Sequence, residues 1–125
     1  MELGRIRLLL VDDHELFRSS MSLVFELMEG VEVVGQASTG EAALAFCETF
    51  QPDAVLMDLL MPGIGGVEAI RLLHERYPQM RILIYTGIDD YELILAGLRA
   101  GAAGFVHKYS GVDEVIRTVR AAFDG

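Results

Sequence analysis

Asp53-Ala54-Val55-Leu56-Met57-Asp58-Leu59-Leu60-Met61-Pro62-Gly63 climbs through an apolar run to a single acid and then breaks. Val55, Leu56 and Met57 predict a buried strand, and Pro62, Gly63, Gly65 and Gly66 predict the loop after it. A carboxylate at the end of a buried strand is costly unless something compensates its charge. In an open α/β sheet the carboxyl edge of the strands is also where ligands bind. Asp58 is therefore the candidate reactive residue.

The same pattern repeats outward from this centre. Residues 6–11 predict a strand that ends at the acid pair Asp12-Asp13, and residues 81–86 predict one that ends at Thr86. Further out, residues 31–36 and 104–107 predict two more. Helical patterns fill the intervals. Over residues 14–28, Phe17, Met21, Val24 and Met28 recur at helical spacing with Leu16, Ser20, Leu23 and Leu27 alongside. Asp13 is the expected cap, Glu15 suits the first turn, and Gly30 ends the segment. Thr39 or Ser38 caps a helix over 40–50 whose face carries Ala43, Phe46, Cys47 and Phe50. A helix over 66–77 buries Val67, Ile70 and Leu73 and stops at Pro78; another spans 91–100 and stops at the glycines of 101–104. The last, over 112–123, has the stripe Val112, Val115, Ile116, Val119 and Phe123.

Five apolar strands alternating with five helices predict βαβ crossovers and a doubly wound, five-stranded parallel sheet. The expected strand order is 2-1-3-4-5, a flavodoxin-like arrangement whose ligand crevice lies where strands 1 and 3 meet.

Composition narrows the function. A chain of 125 residues that is 52% apolar fits one folded domain rather than disorder. The formal net charge of −9 leaves no basic footprint for nucleic acid and no polybasic patch for a membrane surface. Cys47 is the only cysteine, so neither an intrachain disulfide nor a cysteine-rich metal site is available, and a reducing cytoplasm is the expected location. No signal peptide is evident, and no apolar run is long enough to span a bilayer. Nine arginines accompany a single lysine, Lys108.

On the predicted sheet, Asp12, Asp13, Asp58, Thr86 and Lys108 all fall at the carboxyl edge, although they are spread over almost the whole chain. Singly each has an ordinary explanation: a helix cap, a turn acid, an Asx turn, a strand threonine, a solvated loop lysine. Together they form a site. Three converging acids repel unless a hard cation joins them, and oxygen donors with room for water suit Mg²⁺. Phosphoryl transfer requires mainly positioning and charge compensation, and a metal, a lysine and a hydroxyl around a nucleophilic carboxylate supply both. Asp58 thus reads as the acceptor of a phosphoryl group. His14, His74 and His107 are set aside as metal ligands, because no spacing places two on one helix face.

These residues resemble the receiver domains of two-component response regulators over essentially the whole chain. The likeness rests on Asp12-Asp13, on Asp58-Leu59-Leu60-Met61-Pro62 with Gly66 and Glu68 after it, on Thr86, and on the Lys108 region. Residues 10–18, Leu-Val-Asp-Asp-His-Glu-Leu-Phe-Arg, and Gly101-Ala102-Ala103-Gly104-Phe105 are similar to the subfamily whose receivers precede a LuxR-type helix-turn-helix domain. The resemblance implies that Asp58 is the phosphoacceptor for a sensor histidine kinase. It implies that Asp13, Asp58 and the backbone carbonyl of Leu60 bind Mg²⁺ with Asp12 partly through water, and that Lys108 and Thr86 contact the phosphoryl group. Thr86 and Phe105 would be the switch pair. It implies a cytoplasmic signalling switch rather than a turnover enzyme, controlling homodimerisation or a DNA-binding output domain in transcription regulation.

Residues 1–125 are then one receiver domain with no output domain among them. Either a single-domain receiver or, favoured by the subfamily likeness, part of a longer protein is expected. The net charge leaves DNA contact to such an output domain. Some positions depart from the family pattern. Gly65 stands where an acid is frequent and Gly87 where alanine is common, giving both loops more conformational freedom. Tyr109 follows Lys108 in place of proline, which puts a cis peptide there in question. Leu60 and Ile88 are apolar where side chains can guide water, so attacking water is expected to be poorly positioned there. An aspartyl-phosphate phosphatase would want an acid at position 60, and a flavodoxin-like cofactor binder would not place Asp12-Asp13-His14-Glu15 at its phosphate loop. A degenerate receiver, acting unphosphorylated as a binding module, is the remaining alternative, although none of the five site positions is lost.

Overall fold

The computed structural model describes residues 5–87 and 89–124, with side chains up to residue 122. Ile88 and the Phe123 side chain therefore lie outside the described residues. The elements are β1 (Ile6–Val11), α1 (Glu15–Glu26), β2 (Val31–Ala37), α2 (Gly40–Phe50), β3 (Ala54–Met57), α3 (Gly65–Arg76), β4 (Arg81–Thr86), α4 (Tyr91–Ala100), β5 (Gly104–His107) and α5 (Val112–Asp124). All strand pairs are parallel, in the order β2-β1-β3-β4-β5. This is the doubly wound flavodoxin-like fold, with its switch point between β1 and β3.

The central strands are buried on both faces, which is why they read as continuous apolar runs. Their period of two divides them between two cores. Leu9, Val11, Val55, Met57, Ile82 and Ile84 pack with Ala43, Cys47, Ala69, Ile70 and Leu73 from α2 and α3. Leu8, Leu10, Leu56, Leu83 and Tyr85 pack with Met21 and Phe25 of α1 and Val115, Ile116 and Val119 of α5. Among the described residues no helix is long and apolar enough to cross a membrane.

Thr39 Oγ1 accepts the Ala42 N–H, 3.0 Å, as its capping role predicts. The first helix differs from expectation. It is shorter than 14–28, and its cap position is His14 rather than Asp13, with no side-chain cap bond. Asp12 Oδ1 takes the His14 N–H instead, 2.9 Å. Only one face of α1 meets the sheet, so its apolar band is wider than its buried stripe. Met21 and Phe25 are buried, whereas Leu16, Leu23 and Leu27 are 81%, 64% and 85% exposed.

Gly66 fixes the loop that carries Asp58. A Cβ there would lie 2.3 Å from the Asp58 carbonyl oxygen and 2.6 Å from Leu59 Cα, both backbone. Gly66→Ala is expected to destabilise the protein by about 1–3 kcal/mol by overpacking, seen as a lower denaturation midpoint with an unchanged slope. Gly87 is crowded only by an exposed side chain. A Cβ would meet the Tyr109 ring at 3.0 Å, so close approach of that ring accompanies the glycine. The Lys108–Tyr109 peptide is trans.

Candidate functional site

Asp12, Asp58 and Lys108 each sit one position beyond a strand, held by a bond that prolongs the ladder, and Thr86 is the last residue of β4. Asp12 N–H donates to Ala37 O (3.0 Å), Asp58 N–H to Val11 O (3.0 Å) and Lys108 N–H to Thr86 O (2.8 Å). The sheet thereby delivers residues nearly a hundred positions apart to one edge. Asp12, Asp58 and Thr86 are only 2%, 3% and 1% exposed.

Lys108 reaches across from β5. Its Nζ lies 3.0 Å from Asp58 Oδ2, a hydrogen bond, and 2.7 Å from Asp12 Oδ2. The second contact is an ion pair without hydrogen-bond alignment, so the buried Asp12 Oδ2 has charge compensation but no directed donor among the described residues. Asp58 Oδ1 accepts the Leu60 N–H, 3.2 Å. Arg18 secures the other flank, donating to the Asp12 carbonyl (2.5 Å) and to Gln36 Oε1 (3.0 Å). The Phe17 and Tyr85 rings flank the ammonium, 5.0 and 5.7 Å from their centroids, within cation–π range.

The two buried acids are driven apart. Burial pushes the Asp58 carboxyl up; Lys108 and the Leu60 N–H pull it back without prevailing, and Asp12 adds to the rise. Burial also pushes Asp12 up, but Lys108 and both His14 contacts outweigh it and hold the group below the usual range. Burial alone would lower the Lys108 ammonium, yet the two carboxylates raise it, so it stays charged at neutral pH. Nearby, burial raises the Tyr85 phenol, whose hydroxyl has no hydrogen-bond partner among the described residues.

Asp13 is more exposed than Asp12 and Asp58 but close to them. Donor atoms of Asp12, Asp13, His14 and Asp58 all lie within 4.8 Å of one another. A cleft of about 170 Å³ opens over the site, with Asp58, Thr86 and Lys108 in its wall and Leu60 and Tyr109 at its rim. Asp12, Asp13, Asp58 and Lys108, expected at the ends of β1, β3 and β5, are thus brought together, with Thr86 from the end of β4 beside them. Phe105 is half-exposed on β5, paired in register with Ile84. Sequence reasoning missed His14 as a member of the group; its signal was adjacency to the acid pair, not spacing from another histidine.

The chain resembles known proteins throughout. The family model described as the response regulator receiver domain matches residues 8–120. The response regulator GacA of Pseudomonas aeruginosa is 39% identical over 120 residues, which cover 96% of this chain and 56% of that protein. The response regulator UvrY of Escherichia coli K12 is 41% identical over 120 residues, covering 96% and 55%. The chain therefore spans about half the length of these relatives. Among solved structures, the signal receiver domain of NarL from Mycobacterium tuberculosis superposes with a TM-score of 0.91 at 31% identity, covering 98% of this chain and all of that one. A LuxR-family two-component response regulator from Aurantimonas sp. SI85-9A1 gives 0.88 at 35% identity, covering 94% and 84%. With the acid cluster at the switch point of a 2-1-3-4-5 sheet and this match over residues 8–120, the chain belongs to the response-regulator receiver-domain family.

Proposed function

We propose that the protein is a phosphorylation-dependent switch in which Asp58 accepts a phosphoryl group from a sensor histidine kinase. One observation carries this reading: Asp58 is buried at the β1/β3 switch point, facing a cleft, with Lys108 on one oxygen and the Leu60 N–H on the other. An Asp58 oxygen forms the new bond to phosphorus while the donor's P–N bond breaks. Lys108 is placed to pair with a phosphoryl oxygen, and Thr86 donates its hydroxyl to another. Positioning and charge compensation are what this chemistry requires.

The residues present fit a hard divalent cation. Two buried carboxylates share one ammonium, the Asp13 carboxylate lies beside them, and one buried oxygen lacks a directed donor among the described residues. Asp13, Asp58 and the Leu60 carbonyl would hold Mg²⁺, with Asp12 partly through water. When bound, the ion neutralises the charge of the phosphoryl oxygens. Intact mass after incubation with acetyl phosphate tests the reading. One added phosphoryl group with Mg²⁺ and none with EDTA is expected; no addition in either would leave a degenerate receiver acting as a binding module.

Thr86, drawn to the phosphoryl group, would free space that the half-exposed Phe105 fills. The shift requires the new bond and the new packing to favour one state over the other. Such a switch would operate in the cytoplasm and control homodimerisation or, by the subfamily likeness, a DNA-binding output domain outside these 125 residues. It is a signalling device rather than a turnover enzyme. Leu60, apolar and at the rim of the cleft, guides no water. The Leu60→Asn, Ile88→Glu double variant is therefore expected to lose its phosphoryl group severalfold faster in a mass-spectrometric time course.

A further inference from the structure

His14 heads α1 but does not cap it. Its ring turns toward the acids instead: Nδ1 lies 3.2 Å from Asp13 Oδ1 and 3.3 Å from Asp12 Oδ1. The site has two sides. The Oδ2 atoms of Asp12 and Asp58 face Lys108, whereas Asp12 Oδ1, Asp13 Oδ1 and His14 Nδ1 form a separate triangle. Neighbouring donors of an octahedral ion bound at about 2.1 Å are about 3.0 Å apart, so the triangle's two measured edges need to close by only a few tenths of an ångström. An exposed surface histidine resting on two carboxylates is the plainer explanation of the contacts. What points beyond it is that the same nitrogen joins a donor set, Asp12, Asp13, His14 and Asp58, whose ligand atoms all lie within 4.8 Å of one another and include a buried acid pair.

We propose that His14 supplies a nitrogen ligand at this metal site, so that the site holds borderline first-row divalent ions such as Co²⁺ and Ni²⁺ in preference to Mg²⁺. Hard Mg²⁺ takes oxygen donors and gains little from imidazole, whereas the later ions bind imidazole well and rise in affinity along the series. The inference rests on the proposed acid metal site and adds a selectivity to it.

Titrating the metal-free protein and its His14→Ala variant with Co²⁺ and, separately, Mg²⁺ tests it, using calorimetry and the visible Co²⁺ spectrum. Mg²⁺ competition identifies the ion bound at this site rather than at His74 or His107. The variant is expected to lose at least about tenfold in Co²⁺ affinity, to change the Co²⁺ spectrum, and to keep its Mg²⁺ affinity within about twofold. Equal losses for both ions would overturn the nitrogen ligand, since they would mark a general effect on the acids. An unchanged Co²⁺ affinity would overturn it too while leaving the acid site standing. Failure of both proteins to bind either ion would overturn the acid site along with it.

Discussion

Asp58→Asn takes up no phosphoryl group from acetyl phosphate and Mg²⁺, and in the metal-free state it is more stable than the wild type. The first result follows from the loss of the nucleophilic oxygen. The second follows from burial. Asp58 is 3% exposed, and burial raises its carboxyl further than Lys108 and the Leu60 N–H lower it. The folded chain thus holds this proton more tightly than the unfolded chain, whose value is near 3.8. As pH rises from there through the raised folded value, the ionised carboxylate becomes a growing cost to the fold. Asparagine keeps the oxygen that accepts the Leu60 N–H and removes the charge, while Lys108 retains Asp12. A gain of roughly 0.5–2 kcal/mol is expected at neutral pH, shrinking to nothing below the unfolded carboxylate value. Urea denaturation of both proteins in EDTA across that range measures it. A variant that still gains phosphoryl mass would place the acceptor elsewhere. One less stable at neutral pH would mean that the Asp58–Lys108 pair outweighs desolvation.

That a carboxylate lowers stability where chemistry needs it explains why this site was legible in sequence. Asp58 interrupts an apolar run that has no structural use for it; Asp12, at the end of β1, differs in being held by Lys108 and the His14 N–H. Strands buried on both faces leave few choices of residue, so β1 and β4 have the predicted bounds; the edge strand β5 also has them, bounded by Gly104 and the turn after His107. The first helix was less legible because only one face of it is constrained. Leu23 and Leu27 are as apolar as Phe25, and only the position of the sheet decides that Phe25 is buried and the leucines are not. The aromatic flanks of Lys108 could not be foreseen either. Phe17 and Tyr85 are 68 positions apart, and their ring centroids come within 5.9 Å because α1 and β4 contribute to one core. His14 belongs to the same class: its contacts come from the turn after β1, which local periodicity does not describe.

Lys108→Met is expected to destabilise the metal-free protein at neutral pH by about 3–5 kcal/mol, the cost of leaving buried charges without their partner. Methionine keeps an unbranched stem between Phe17 and Tyr85 and removes only the ammonium, so the loss reports charge rather than packing. In the wild type Asp12 stabilises the fold above its unfolded value of 3.8, and that contribution is lost as pH falls through its lowered folded value. Lys108, raised above 10.5, stabilises the fold below that value, and its contribution is lost as pH rises through the higher folded one. The difference between wild type and variant is therefore widest across the neutral range. Acid narrows it: without the ammonium both carboxyls shift upward, and protonation relieves the variant before it costs the wild type. Mg²⁺ should narrow it as well, since a cation held by the acids replaces the missing charge and stabilises by mass action. Urea titrations at several pH values, with EDTA or Mg²⁺, measure both effects. A loss below about 1 kcal/mol at neutral pH would mean that Asp12 and Asp58 behave as solvated acids, as exposed pairs do. A loss that Mg²⁺ leaves untouched would separate the role of Lys108 in folding from the acid cluster it spans.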